Sequence, residues 1–119
     1  MRATKLSEFA QGSEVIAVSY EPDTLAIGLG MGQTVRFDDI VGFRLLDERD
    51  LREFWPECSA KYGGLFEVLE GGWLEQESAR PGFVSATVGP KLREYLVTGP
   101  NSCVNVFTYR GPRFSADAV

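Results

Sequence analysis

The chain has no histidine among its 119 residues, which removes both the commonest general base and the commonest metal ligand. It has only two cysteines, Cys58 and Cys103. They lie far apart and are not spaced as a metal pair, so they read as reduced thiols of a cytoplasmic protein. No apolar run approaches the roughly 20 residues that span a bilayer. The opening Met1-Arg2-Ala3-Thr4-Lys5-Leu6-Ser7-Glu8 is charged and lacks the apolar centre of a secretory signal. Positive charge is also scarce. A net charge of −5 disfavours nonspecific nucleic-acid binding, which needs clustered Lys and Arg, and it disfavours anionic membrane surfaces.

What is present is a concentrated block of acid. Residues 37–79 carry Asp38, Asp39, Asp47, Glu48, Asp50, Glu53, Glu57, Glu67, Glu70, Glu75 and Glu77 against Arg44, Arg49, Arg52 and Lys61. That middle is net −7, while the remainder, with six acids and eight bases, is net +2. The apolar fraction of 44% suits an ordinary globular core and argues against disorder. The length suits a single domain over 1–119, with residues 1–13 expected as an arm and 111–119 as a loose tail.

Strand patterns dominate. Val15 to Tyr20 is β-branched and aromatic, Glu21-Pro22-Asp23-Thr24 is a turn, and Leu25, Ile27 and Leu29 alternate. Thr34 to Phe37, Ile40 to Leu46, Phe83 to Val88, Leu92 to Thr98 and Cys103 to Tyr109 continue the series. Leu65 to Glu70 and Trp73 to Glu77, around Gly71-Gly72, predict a hairpin, because paired glycines supply the positive φ of a type I′ turn. One segment differs: Asp47 can cap a helix, Leu46 and Leu51 occupy staple positions, and Leu51, Phe54 and Trp55 share a face before Pro56. The expected fold class is therefore α+β, an antiparallel β-meander sheet of about 6–8 strands with one short helix over Glu48–Trp55.

Few patterns suggest chemistry. Gly28-Leu29-Gly30-Met31-Gly32 lacks the following helix and the Lys-Ser or Lys-Thr pair of a nucleotide loop, so it reads as a hairpin loop. Asp47 to Glu57 lacks the central glycine of a calcium loop. Neither thiol has a histidine to make it a thiolate. The expectation is a protein that is not an enzyme, with no catalytic residues, no cofactor and no metal. In the predicted hairpin, Glu70, Trp73, Glu75 and Glu77 share one face, an aromatic anchor ringed by acids that suits a partner's Arg or Lys. The predicted helix adds an acidic edge through Glu48 and Glu53.

The stretches Gly42-Phe43-Arg44-Leu45-Leu46-Asp47-Glu48-Arg49-Asp50-Leu51, Gly71-Gly72-Trp73-Leu74-Glu75 and Glu94-Tyr95-Leu96-Val97 give the chain a likeness of type. It resembles the small immunity proteins of bacterial polymorphic-toxin systems, which are short, acidic, cytoplasmic and strand-rich and carry no catalytic set. The resemblance implies a basic protein partner, often a toxin acting on nucleic acid, that is bound and blocked. An acidic inhibitor competes for a basic substrate groove and gains association rate from opposite fields. The alternative is a small-ligand binding or carrier module, with a pocket on a curved sheet lined by Phe83, Tyr95 and Phe107.

Overall fold

The computed structural model of the chain describes residues 1–85, 87 and 89–116. Its strands are β1 (Arg2–Glu8), β2 (Val15–Glu21), β3 (Thr24–Leu29), β4 (Gln33–Asp38), β5 (Ile40–Asp47), β6 (Gly64–Glu70), β7 (Arg93–Thr98), β8 (Ser102–Thr108) and β9 (Arg113–Ala116), with one α-helix, α1 (Trp73–Ser78). The fold is mostly antiparallel β with one short helix, as expected in outline, but the helix lies elsewhere in the chain, and the described residues form nine strands rather than about 6–8, in two sheets rather than one meander. The larger has the order β1-β6-β7-β8-β5 and the smaller β2-β3-β4-β9.

The division into two sheets happens at Asp38-Asp39, where a continuing strand with a bend is predicted. Asp39 adopts a positive φ of 52°, a conformation that short polar side chains tolerate. There the chain leaves the smaller sheet and enters the larger as β5. The corner is pinned by Thr108, whose Oγ1 donates to the Asp38 carbonyl at 2.7 Å, and by the Asp39 N–H, which donates to the Asp23 carbonyl at 3.0 Å.

The sheets pack face to face. Leu25, Ile27, Leu29, Val35 and Phe37 of the smaller sheet meet Leu65, Tyr95, Val97, Val104 and Val106 of the larger, and the Phe37 and Tyr95 rings lie 5.6 Å apart. Strict alternation in β3 and β4 follows from burial of one face only. The larger sheet is covered on its other face too. Leu51, Phe54 and Cys58 pack there on Phe66, Val68, Leu96 and Cys103, and β7 and β8 are consequently buried almost end to end.

Several local expectations change. The arm at 1–13 contains β1, an edge strand that pairs with β6 and sends Phe9 into the core; an edge strand needs backbone partners more than apolar side chains. The tail contains β9, paired with β4, and 117–119 lie outside the described residues. The helix expected over Glu48–Trp55 is two 3₁₀ turns, Glu48–Asp50 and Arg52–Phe54, separated by Leu51 at φ −125°. Asp47 does cap the first, its carboxylate accepting from the Arg49 N–H at 2.9 Å. The strand expected over Phe83–Val88 is absent from its described residues, which run through turns; Ala86 and Val88 lie outside them.

The largest correction concerns Gly71-Gly72. Trp73 to Ser78 is helix, not the returning strand of a hairpin. β6 pairs instead with β1 and β7, so Val68 faces Ala3 and Glu94 rather than Glu75. Leu, Glu and Gln favour helix over strand, and Glu75 bonds back to the Gly71 N–H at 2.5 Å, a local link that a strand cannot make.

Candidate interaction surface

The outer face of the larger sheet buries two polar side chains, Glu94 and Asn105. The register aligns Arg44, Asn105 and Leu96 in one cross-strand row, and Gly42, Phe107 and Glu94 in the next. Glu94 is only 2% exposed. Its Oε2 accepts from the Trp73 N–H at 3.1 Å and from Asn105 Nδ2 at 3.0 Å, and its Oε1 accepts from the Leu74 N–H at 2.8 Å. Gly72 precedes α1 and offers no side-chain cap, so a carboxylate from a distant strand supplies the acceptors that the first helical N–H groups need. Burial pushes the Glu94 carboxyl above its ordinary value, against the pull of these donors and of the Arg44 charge. Arg44 Nε donates to Asn105 Oδ1 at 3.0 Å, and burial lowers its pKa despite the nearby Glu94.

This network decides what Trp73 does. Its ring stacks on Phe107 with centroids 3.9 Å apart, and the Arg44 guanidinium lies 4.7 Å above it. Trp73 is thereby held between an internal cation and an internal aromatic. The acids expected on a common face with it are dispersed. Glu70, on β6, pairs with Arg2 at 2.9 Å. Glu77 pairs with Arg80 at 2.9 Å, and Glu75 is bonded to Gly71. The pocket expected from Phe83, Tyr95 and Phe107 does not form, because the larger sheet separates its members. Phe83 and Phe107 are 5.7 Å apart on the outer face, while Tyr95 belongs to the core between the sheets.

Glu48 and Glu53 fare differently. They sit with Asp50 and Glu57 on the segment that crosses the outer face, and among the described residues none of the four has an ion-pair partner. Beside them opens a groove of about 290 Å³. Leu51, Phe54, Leu96 and Pro100 give it apolar walls, and Glu48 and Lys61 stand among its lining residues. Trp55 also lines it and is 41% exposed, rather than packed inside as its face of the predicted helix suggests. Its Nε1 donates to the Glu48 carbonyl at 3.1 Å and Arg52 lies over the ring at 5.4 Å, so the indole is held in place at the lip.

Cys58 and Cys103 border the same groove. Burial pushes the Cys58 thiol up to about 12 and raises Cys103 as well, so both are protonated at neutral pH and poor nucleophiles. Among the described residues no three or more of Cys, Asp and Glu gather where a metal ion could be held, and no helix is long and apolar enough to cross a membrane. Sequence reasoning missed Arg44, Glu94 and Asn105. Their signal was polarity inside otherwise apolar strands. Comparison with protein-family models, with curated proteins and with solved structures finds nothing that matches this chain.

Proposed function

We propose that this chain is a binding protein that inhibits a cognate basic protein, in the manner of an immunity protein, through the acidic surface of residues 47–57. One juxtaposition carries the reading: four carboxylates without ion-pair partners among the described residues, Glu48, Asp50, Glu53 and Glu57, next to a groove with Trp55 fixed at its lip. An ordered aromatic beside an apolar cleft is the usual form of an interface anchor. Uncompensated acids around it attract a basic partner and speed its encounter. A protein that handles nucleic acid carries a basic groove of the kind such a surface would occupy.

The test is capture of the product of the adjacent gene by the tagged chain, compared with a Glu48→Lys, Asp50→Lys, Glu53→Lys variant. The expected result is a one-to-one complex whose association slows about tenfold in the variant and with added salt. A complex indifferent to the three reversals would overturn the assignment of this surface. A second reading rests on the groove itself, whose 290 Å³ approaches the roughly 300–1,000 Å³ of small-molecule sites. Thermal stabilisation by a small ligand, with quenching of Trp55 and no protein partner, would favour it.

A further inference from the structure

The larger sheet has one strand more than the smaller, and this leaves part of a core face uncovered. Phe43 and Leu45 on β5 lie opposite Val106 and Val104, which are fully buried in the core. Yet Phe43 is 37% exposed and Leu45 49%. Across the mouth of the sandwich Tyr20 of β2 lies opposite the buried Leu25 and is 59% exposed, its ring 6.2 Å from Phe43. Val41 and Ile16 on the same two strands are exposed as well. Phe43, Leu45 and Tyr20 are thus large apolar side chains left open at one edge of the core, the kind of exposure that a partner covers.

Both strands are also sheet edges. Natural edges are usually blunted by charge, proline or cover, and the opposite side of the sandwich follows that pattern. There β1 carries Arg2 and Lys5, β9 carries Arg113, and Phe9 stacks on Phe114 at 5.5 Å to close the seam. By contrast β2 has no basic residue and the one base of β5, Arg44, is engaged with Asn105 and Trp73. Bulges lie at one end of each strand, between Val15 and Ala17 and between Ile40 and Gly42, leaving Gly42 to Asp47 in unbroken register.

We propose that β5 accepts an extended segment of a partner protein as an added strand, with apolar residues seated on Phe43, Leu45 and Tyr20 and Lys or Arg at its ends. A second copy of this chain is a poor occupant. Paired antiparallel with its faces matched, β5 brings either Arg44 against Arg44 or Asp47, already paired with Arg49, to the Asp39 end of the other copy, already paired with Arg110, so neither copy offers the other a free opposite charge. Wider shifts set Asp47 or Asp39 against Phe43 or Leu45. Like charges opposite one another destabilise a strand pair, and so does an acid set on an apolar face. A basic segment finds free acids at the ends of the strip instead: Glu48 adjoins Asp47, Glu21 adjoins Tyr20, and neither glutamate has an ion-pair partner among the described residues. Main-chain bonds then supply affinity and the alternate side chains specificity. The inference rests on the reading that the partner is a basic protein, and it names the mode of contact.

The test uses a ten-residue peptide of alternating valine and threonine between paired lysines, and the same peptide with glutamates in place of the lysines. Amide hydrogen exchange across β5 is the readout. The lysine peptide should slow exchange of the β5 amides not bonded to β8 by tenfold or more, the glutamate peptide should not, and Leu45→Lys should abolish the protection. No protection by the lysine peptide, equal protection by both, or concentration-dependent protection of the chain alone with a dimer in sedimentation would each overturn the inference. Reversal of Glu48, Asp50 and Glu53 tests the surface of residues 47–57 separately: a captured partner sensitive to that reversal while the β5 amides still exchange freely would leave the inhibitor reading standing and sink this one.

Discussion

Replacing Glu94 tests whether one carboxylate holds α1 on the larger sheet. Glu94→Ala leaves the Trp73 and Leu74 N–H groups and Asn105 Nδ2 without their acceptor, and removes the carboxylate whose charge acts most strongly on the half-buried Arg44. Each bond to a charged acceptor is worth about 1.5–3 kcal/mol in isolation, but bonds to one group are not additive. Breaking one side of a buried charged network costs about 3–5 kcal/mol, up to half or more of a typical domain's stability. Glu94→Gln keeps the volume and one acceptor oxygen but turns an NH₂ toward N–H donors, so a smaller loss of about 1–3 kcal/mol is expected. Urea unfolding followed by tryptophan fluorescence measures both, and Trp73 reports from the site itself. Hydrogen exchange should show the α1 amides released in Glu94→Ala while β3 and β4 stay protected. A loss below about 1 kcal/mol with the α1 amides unchanged would refute the account.

The pH dependence has a definite sign. Burial raises the Glu94 carboxyl above its ordinary value of 4.5, so the folded chain binds that proton more tightly than the unfolded chain. Its favourable contribution is complete below the unfolded value and is lost as pH rises through the raised folded value. Gln does not titrate. The deficit of Glu94→Gln relative to the natural chain should therefore be largest near about pH 4 and narrow as pH rises. A deficit that widens with pH would mean that the donors and Arg44 outweigh desolvation.

Gly72→Ala should be destabilising by about 1–3 kcal/mol through overpacking, since an added Cβ would lie 2.6 Å from both Glu94 Oε1 and Val68 Cγ1; a neutral result in thermal unfolding would show that α1 can shift without cost. The two thiols should resist iodoacetamide at pH 8 in the native chain, because both are buried and both have raised pKa values, and react fully in urea; mass spectrometry reads the difference. Rapid native labelling of Cys58 would mean that the groove beside Trp55 opens.

Much of the strand content was legible, and the reasons are local. Leu25, Ile27 and Leu29 alternate because one face is buried and the other is not, and period-two patterning reports that fact directly. The paired glycines misled, because Gly71 does adopt a positive φ of 75° yet a turn residue does not specify whether a strand or a helix comes after it. The deciding partner of the Gly72–Trp73 junction is Glu94, more than twenty positions away in sequence, and no local rule reaches it. The division into two sheets was equally hidden. It turns on the backbone of Asp39, which reads as a bend whether the next strand continues in the same sheet or crosses to another.

The candidate surface was legible only as charge. Counting acids pointed to residues 37–79 but treated Glu70, Glu75 and Glu77 as equivalent to Glu48 and Glu53. Folding separates them: Arg2 engages Glu70, the Gly71 N–H engages Glu75 and Arg80 engages Glu77, while Glu48 and Glu53 keep their charge unshared among the described residues. The remaining signal lay in β7 and β8. Glu94 in Arg-Glu-Tyr-Leu-Val-Thr and Asn105 in Cys-Val-Asn-Val-Phe-Thr interrupt strands whose apolar residues run on both faces. A strand covered on both faces has no solvent side to which a polar side chain can point. Such a residue must find a partner inside, and here Glu94 and Asn105 find each other, with Arg44 and the first turn of α1 completing the set. An acid in an apolar strand and a helix start without a capping side chain are the two halves of one interaction.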